Sequence, residues 1–225
     1  MAERSPVGVI TGAASGIGRA LAEVLADKGY QLVLADIDVD AQADVTNDLH
    51  ARAVVTDVSD TAAMQRLGAA APTASLVCLN AGVISTSPGP VWEAPPEEWA
   101  RVLGVNLGGV VNGLRVFVPQ LLNVGAPAAV PITASLAGLA TWPGGGPYAA
   151  SKHAVLAVAE QAAMALADTP IGITVLCPAL VRSAMSEVGE ARRRLPAKQS
   201  PPLKISSLRL PRAPGRLPFA KGLNA

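Results

Sequence analysis

A glycine-rich turn between two apolar segments restricts the fold of this chain more than any other stretch. Residues 7–11, VGVIT, form a short β-branched run typical of a buried strand, and residues 11–18, TGAASGIG, follow it directly. Residues 17–28 then place apolar side chains at helical spacing, and Gly29 stands where a helix end favours glycine. The segment therefore predicts a strand, a tight turn and a helix in succession.

The same alternation of strands and helices continues along the chain. Because the strands are continuously apolar, this alternation indicates a single doubly wound, Rossmann-type α/β domain with a parallel sheet and helices on both faces. Ligands of such sheets bind beyond the carboxyl ends of the strands. Further strands are predicted at 31–36, 53–58, 75–82, 128–135 (interrupted by Pro131) and 172–178, and further helices before the third strand, at 97–122 and at 148–168.

The glycine turn has the features of a dinucleotide site. Gly12, Gly16 and Gly18 allow a tight turn and close approach of the backbone to a pyrophosphate, and the following helix N-terminus favours negative charge. The other interpretation is an ordinary tight turn. Asp36 ends the second strand, where a carboxylate can accept hydrogen bonds from both ribose hydroxyls and would repel a 2′-phosphate. NAD is therefore favoured over NADP, although Asp36 could also simply cap a loop.

Tyr148 and Lys152 are four residues apart in the stretch PYAASKH, so they share one face of a helix. A nearby ammonium favours the phenolate form of tyrosine, which can then exchange a proton with a substrate oxygen. Ser135 ends the fifth strand and could hold that oxygen, and Asn106 lies in the middle of a helix, where it could extend a proton relay or mark a distortion. Alone, the Tyr148–Lys152 pair would also fit an ordinary first helical turn.

Together these motifs resemble the short-chain dehydrogenase/reductase family over about residues 7–186, as an NAD-preferring member with a divergent C-terminal tail. The matching pieces are TGAASGIG, Asp36, Asp57-Val58, LNAG at 79–82, Asn106, Ser135, YAASK and Pro178. The resemblance implies Tyr148 as the acid/base, Lys152 as its partner and ribose anchor, Ser135 as donor to the substrate oxygen, and Asn106 in the relay. It also implies cofactor contacts from Gly12, Ser15, Gly16, Ile17, Gly18, Asp36, Ile37, Asp57, Val58, Asn80, Ala81, Gly82, Tyr148, Lys152, Pro178 and Val181.

The resemblance implies an oxidoreductase that transfers hydride between NAD and a secondary alcohol or ketone. Leu136, Leu139 and Trp142 suggest an apolar substrate. The two long helices resemble the family's subunit interface, so a homodimer or homotetramer is expected. Two cysteines and two histidines are too few and too scattered for a zinc or histidine-based metal site, so both thiols are expected to be free and buried.

No apolar run of about 18 residues is free of charge, proline or polar residues, so 102–119 is predicted to be a buried helix and not a membrane span. No apolar signal segment with a cleavage site opens the sequence, and a cytoplasmic location is expected.

The charges divide the chain into a domain at 1–186 and a basic, proline-rich tail at 187–225. All 17 acidic residues lie at or before Glu190, and nine of the 18 basic residues follow it, so residues 1–190 carry −8 and residues 191–225 carry +9. Ala179 and Ser183 replace the family's usual glycine and threonine, and its seventh strand is doubtful here.

Three interpretations of the tail remain open. It is a divergent or frame-altered end, a basic segment lying on the acidic domain, or an arm for nucleic acid or membranes, although no stacking aromatics support nucleic-acid binding. An exposed sheet edge would favour a dimer. If the tail leaves the substrate pocket incomplete, the alternative function is an NAD-binding regulatory or interaction protein with little turnover.

Overall fold

The structure, a computed structural model, describes residues 5–87, 89–141 and 145–179. In this part of the chain, six parallel strands form one sheet with helices on both faces, which confirms the predicted Rossmann-type α/β fold. The strands are β1 (Val7–Thr11), β2 (Gln31–Asp36), β3 (Arg52–Val55), β4 (Ala74–Cys78), β5 (Ala128–Thr133) and β6 (Ile171–Leu176). The helices are α1 (Gly16–Asp27), α2 (Val39–Leu49), α3 (Thr61–Ala70), α4 (Pro96–Leu103), α5 (Gly109–Val124) and α6 (Gly146–Ala165).

The strand order brings the predicted site residues to one edge of the sheet. The order is β3-β2-β1-β4-β5-β6, so the chain moves outward from β1 to β3 and then returns to the other side of β1. The switch point lies between β1 and β4, where the connections diverge and leave a crevice. Because all strands are parallel, the residues that follow them meet at this crevice.

Alternating strand residues build a core on each face of the sheet. Val9 and Val33 pack with Phe117 of α5 on one face, whereas Ile10 and Leu34 pack on the other. Neighbouring residues of a strand point to opposite faces, so a strand covered on both sides must be apolar throughout. This requirement explains why the first two strands read as continuous apolar runs.

Pro131 lies inside β5 without breaking the strand. Its carbonyl oxygen accepts a hydrogen bond from Leu79 N–H over 2.9 Å, so residue 131 directs its backbone groups toward β4. The missing proline N–H therefore falls on that side, where β4 pairs with β5 at Leu76 with Ala129 and the chain after β4 pairs again at the isolated bridge of Leu79 with Ile132. The ladder from β5 to β6 continues through six residue pairs.

The four predicted strands after β2 end earlier than expected, at Val55, Cys78, Thr133 and Leu176. Thr56 N–H still donates to the Asp36 carbonyl oxygen over 2.8 Å, so the bonding between β2 and β3 reaches one residue past the end of β3. β4 ends at Cys78, after which the Asn80 side chain binds the end of β1. The boundaries 53–58 and 75–82 were too long at their carboxyl ends.

Helix α3 was not predicted, although the sequence carries its signals. Asp60 caps the helix by accepting a hydrogen bond from Ala62 N–H over 2.8 Å. Ala63, Met64 and Leu67 are buried on one side of the helix. A capping aspartate followed by apolar residues at helical spacing predicts such a helix, even when alanine dominates the rest.

The predicted helix 97–122 is continuous but distorted in its middle. A π-helical turn, Gly104–Gly108, joins α4 to α5 and holds Asn106, which confirms the expected distortion. The combined helix Pro96–Val124 is long and apolar enough to cross a membrane by length and composition alone, and 39% of its most apolar window is buried. Phe117 and Leu121 pack into the core, so the prediction of a buried helix holds for one face.

Candidate active site

The glycine turn approaches its neighbours so closely that side chains are excluded. Gly12 has φ +66°, and a Cβ atom on it would stand 2.8 Å from Ala81 Cα. A Cβ atom on Gly18 would collide with the Gly12 carbonyl oxygen and stand 2.7 Å from Asn80 Nδ2. The turn and the start of α1 therefore present bare backbone at the switch point, as binding of a pyrophosphate requires.

Asn80 braces the ends of three strands. Its Nδ2 donates to the Thr11 and Gly12 carbonyl oxygens over 3.1 and 3.3 Å, and its Oδ1 accepts from Thr133 Oγ1 over 3.0 Å. Thr11 Oγ1 in turn accepts from the backbone N–H groups of Asn80 and Ala81. The Asn80 side chain thus supports the glycine turn from behind.

Asp36 holds the glycine turn at its other end. Its Oδ2 accepts from Ala14 N–H over 2.8 Å, and its Oδ1 accepts from the N–H groups of Ile37 and Asp38. These bonds fix the carboxylate beside the turn, and a carboxylate can still accept further bonds. Asp36 therefore caps the turn and the start of the following loop, as the alternative interpretation expected, and Asp38 separately caps α2 through Ala41 N–H.

Three residues predicted to contact the cofactor, Ile37, Asp57 and Val58, lie in different environments. The Ile37 side chain is 65% exposed beside Asp36 and is free to cover a flat ring. Asp57 Oδ1 accepts from the Ser59 N–H and hydroxyl groups. Val58, in contrast, is 6% exposed, and a Cβ atom on Gly109 would stand 2.6 Å from Val58 Cγ2. The Val58 side chain is a core residue, which leaves only its backbone for a ligand.

Lys152 is buried at the centre of the site. Its side chain is 3% exposed, and its Nζ donates to the Thr133 carbonyl oxygen over 2.9 Å. The same Nζ lies 5.9 Å from the centre of the Tyr148 ring, so the predicted pair shares one helix face. Burial lowers the pKa of Lys152 to about 8, and the nearby Cys177 only partly opposes this shift.

Asn106 connects the π-helical turn to the first turn of α6. Its side chain is fully buried, and its Nδ2 donates to Ser151 Oγ over 2.9 Å and to the Val83 carbonyl oxygen over 3.0 Å. Its Oδ1 accepts from Val83 N–H over 2.7 Å. Ser151 Oγ donates to the Tyr148 carbonyl oxygen over 2.7 Å. The asparagine thereby links the Tyr148 turn to the loop after β4.

Gly82 allows this loop to pass close to both Asn106 and Lys152. A Cβ atom on Gly82 would stand 3.2 Å from Asn106 Oδ1 and 3.4 Å from Lys152 Nζ. A side chain at this position would therefore press on two polar groups of the site. Glycine is therefore the residue that fits at this position of the LNAG motif.

Ser135 begins a 3₁₀ turn that packs directly on α6. Its Oγ accepts from Ala137 N–H over 3.1 Å. A Cβ atom on Gly138 would stand 2.6 Å from the Lys152 carbonyl oxygen, so glycine lets the Ser135 turn contact α6 at Lys152. Pro178 lies beside this turn, because its carbonyl oxygen accepts from Leu136 N–H over 2.9 Å. The structure therefore brings the four predicted catalytic residues to one edge of the sheet.

Three residues that hold the site together could not be found from sequence motifs alone. Ser151, Thr133 and Thr11 connect the site residues, yet each belongs to a common residue type without distinctive spacing.

Val181, Trp142 and the tail at 187–225 lie outside the described residues. Cys78 and Cys177 are free thiols, but only Cys78 is buried, which corrects the expectation for Cys177.

Comparison with known proteins identifies relatives over most of the chain. The family model for short chain dehydrogenases matches residues 6–193. The 1-deoxy-11-beta-hydroxypentalenate dehydrogenase of Streptomyces avermitilis is 41% identical over 187 residues, which are 79% of this chain and 69% of that protein.

Solved structures agree with this match. A short chain dehydrogenase/reductase from Burkholderia phymatum in complex with NAD is 40% identical and has a TM-score of 0.78, covering 88% of this chain and 74% of that one. The 3-ketoacyl-(acyl-carrier-protein) reductase from Brucella melitensis complexed with NADH is 29% identical with a TM-score of 0.78, covering 81% and 78%. This chain is therefore an oxidoreductase that acts on CH–OH groups with a nicotinamide cofactor, and it belongs to the short-chain dehydrogenase/reductase family.

Proposed function

We propose that this protein interconverts a secondary alcohol and a ketone with NAD, and that Tyr148 transfers the proton. The observation that carries the proposal is the buried Lys152 ammonium, whose Nζ lies 5.9 Å from the centre of the Tyr148 ring and is joined through Thr133 and Asn80 to the glycine turn. This geometry places a positive charge beside the ring whose hydroxyl group can exchange a proton with a substrate oxygen.

Each neighbouring residue has a separate task in this proposal. Ser135 donates a hydrogen bond to the substrate oxygen, Lys152 holds positive charge beside Tyr148 and contacts the cofactor ribose, and Asn106 connects Lys152 to the relay of protons. The nicotinamide ring supplies the hydride donor or acceptor when the cofactor is bound. The turn between Gly12 and Gly16, whose φ angles of +66° and +53° favour glycine, and the start of α1 beyond it fit the pyrophosphate of such a cofactor.

We propose NAD rather than NADP as the working cofactor. Asp36 places its carboxylate between the glycine turn and the start of α2 through three backbone hydrogen bonds. A fixed negative charge there repels a 2′-phosphate, and residues 29–51 contain no lysine or arginine to bind one. The Burkholderia phymatum relative was solved with NAD, which agrees with this choice.

We propose an apolar substrate. Leu139, 53% exposed, follows the Ser135 turn, and Leu136 lies within it. The Streptomyces relative is named as a dehydrogenase of a hydroxypentalenate, which agrees with oxidation of a CH–OH group.

A dehydrogenase assay with a matched tyrosine control tests the function. The protein is given NAD and a panel of secondary alcohols, and Tyr148→Phe is compared with Tyr30→Phe, which changes the chain's other tyrosine. We expect Tyr148→Phe to lower kcat/KM by at least about a hundredfold, because the proton donor is lost, and Tyr30→Phe to retain turnover. Full activity of Tyr148→Phe would exclude this mechanism.

Binding of NADH, followed by its fluorescence, separates the enzyme from the alternative of a regulatory NAD-binding protein. Binding without turnover of any alcohol would favour the regulatory protein, in which the segment at 187–225 leaves the substrate pocket incomplete. Binding of neither NADH nor NADPH would exclude both functions.

We further propose a homodimer or homotetramer through helices 97–122 and 148–168, in the cytoplasm. Leu122, Val124 and Met164 are 45%, 52% and 72% exposed on α5 and α6, and such apolar residues favour contact with a second copy. No binding of nucleic acid or membranes is included in the proposal. Light scattering coupled to size exclusion tests the assembly, and a monomer at micromolar concentration would contradict it.

A further inference from the structure

Side chains of α4 hold the loop that follows β4. This loop, Val83–Ser87, has neither helix nor strand, so its backbone groups need other partners. Glu98 is 7% exposed, and its Oε1 accepts from Ser85 Oγ over 3.0 Å, from Thr86 Oγ1 over 3.1 Å and from Thr86 N–H. One buried carboxylate oxygen therefore fixes the far end of the loop.

Arg101 completes this contact from the next turn of the helix. Its Nε and Nη2 donate to Glu98 Oε2 over 3.0 and 2.9 Å. Nη2 also donates to the Ile84 carbonyl oxygen over 2.8 Å. The guanidinium thus joins the carboxylate to the middle of the loop, which a single-point cation could do less rigidly.

The carboxylate remains ionised across the working pH range. Burial alone would raise the pKa of Glu98, but the hydrogen bonds from Thr86, Arg101 and Ser85 outweigh it and lower the pKa to about 2. The attraction between Glu98 and Arg101 is therefore present whenever the protein is folded near neutrality.

The start of the same loop lies against active-site residues. Asn106 binds both backbone groups of Val83, and Gly82 lies against Asn106 Oδ1 and Lys152 Nζ. Along the loop, Asn106 thus holds Val83, Arg101 holds Ile84 and Glu98 holds Thr86. A shift at Ile84 or Thr86 would be transmitted through Val83 to the surroundings of Lys152.

We propose that Glu98 and Arg101 form a positioning clamp, which sets the Gly82–Thr86 loop against Lys152 and thereby supports turnover more strongly than cofactor binding. The proposal rests on the proposed dehydrogenase function. Neither residue contacts the reacting groups, so both act through the loop. Misplacement of catalytic groups by about 1 Å can cost up to about a hundredfold in rate.

The test compares four variants in the full-length protein. Glu98→Gln and Arg101→Met break the clamp, Arg101→Lys keeps the positive charge, and Glu97→Gln is a matched control that changes an exposed glutamate in the same helical turn. We measure kcat, the KM for the alcohol, the NADH dissociation constant, the melting temperature and amide hydrogen exchange at residues 83–87.

The clamp predicts a drop in kcat of about tenfold or more in Glu98→Gln and Arg101→Met, a larger change than any accompanying loss of NADH affinity. Exchange at 83–87 should accelerate in both, Arg101→Lys should recover part of kcat, and Glu97→Gln should match the wild type. An unchanged kcat with faster exchange would overturn the proposal, because the contact would then be only structural. Unchanged exchange at 83–87 would overturn it as well, because the two side chains would then not hold the loop. A wild type that binds NADH but oxidises no alcohol would instead overturn the proposed function, and the clamp's role in turnover with it.

Discussion

Asn106 Nδ2 donates a hydrogen bond to Ser151 Oγ over 2.9 Å, and this bond joins the π-helical turn to the helix that carries Tyr148 and Lys152. Ser151 passes the connection on to the Tyr148 carbonyl oxygen. The position of Tyr148 therefore depends on a serine that touches none of the proposed reacting groups in the described structure.

Removal of this serine hydroxyl should impair turnover more than folding. In Ser151→Ala, one N–H of the Asn106 amide loses its partner while the other still binds Val83, so we expect a stability loss of about 1 kcal/mol. We expect kcat to fall about tenfold, since the Tyr148 turn is no longer held. Urea unfolding and steady-state kinetics measure the two effects. Ser75→Ala, at the start of β4 and away from the site, is the control, and equal kinetics in both variants would contradict the prediction.

Burial of Lys152 should make stability depend on alkaline pH. Its pKa is about 8 in the folded protein and 10.5 when unperturbed, so the unfolded chain binds this proton more tightly. The free energy of unfolding should therefore rise between pH 8 and 10.5 in the wild type relative to Lys152→Met, by up to about 3 kcal/mol.

Urea unfolding at several pH values from 7 to about 11 measures this difference. Lys28→Met, which removes an exposed lysine at the end of α1, should run parallel to the wild type. A constant difference between wild type and Lys152→Met over the whole range would show that Lys152 is not perturbed by burial.

Gly18→Ala should weaken cofactor binding. The added Cβ would collide with the Gly12 carbonyl oxygen and press on Asn80 Nδ2, so the turn would have to move away from Asn80. Gly172→Ala in β6 is the matched control, because its Cβ would meet only the Ala128 carbonyl oxygen at 3.9 Å. We expect NADH fluorescence titration to show at least about tenfold weaker binding for Gly18→Ala alone. Wild-type affinity would contradict the assigned role of the turn.

Asp36→Ala should relax the preference for NAD. The change removes the negative charge that disfavours a 2′-phosphate and also the acceptor for Ala14 N–H. We therefore expect weaker NADH binding and a ratio of NADH to NADPH affinity that falls at least about tenfold. Asp38→Ala removes a carboxylate two residues away that caps α2, and it should lower stability by about 1 kcal/mol without changing the ratio. An unchanged ratio in Asp36→Ala would refute the role of Asp36.

Local patterns predicted the elements of this fold where one physical cause dominated. The apolar runs at 7–11 and 31–36 became strands with the expected bounds, because both faces of the sheet are covered. Gly29 ended α1 with φ +81°, as its lack of a side chain allows. Helix α3 was missed because alanine obscures its period, and the strand at 128–133 formed despite Pro131 because the missing N–H falls at a weak point of the ladder.

The sequence by itself determined the type of fold and predicted the glycine turn, because these depend on spacing within single elements. It named Tyr148, Lys152, Ser135 and Asn106 as site candidates through the order of motifs along the chain. Only the tertiary structure decided how they are held. Asn106 meets Ser151 across 45 residues, and Lys152 meets Thr133 across 19. Glu98 and Arg101 reach a loop more than ten residues away in sequence. Such contacts arise where parallel strands end together, and no local period records which side chains meet there.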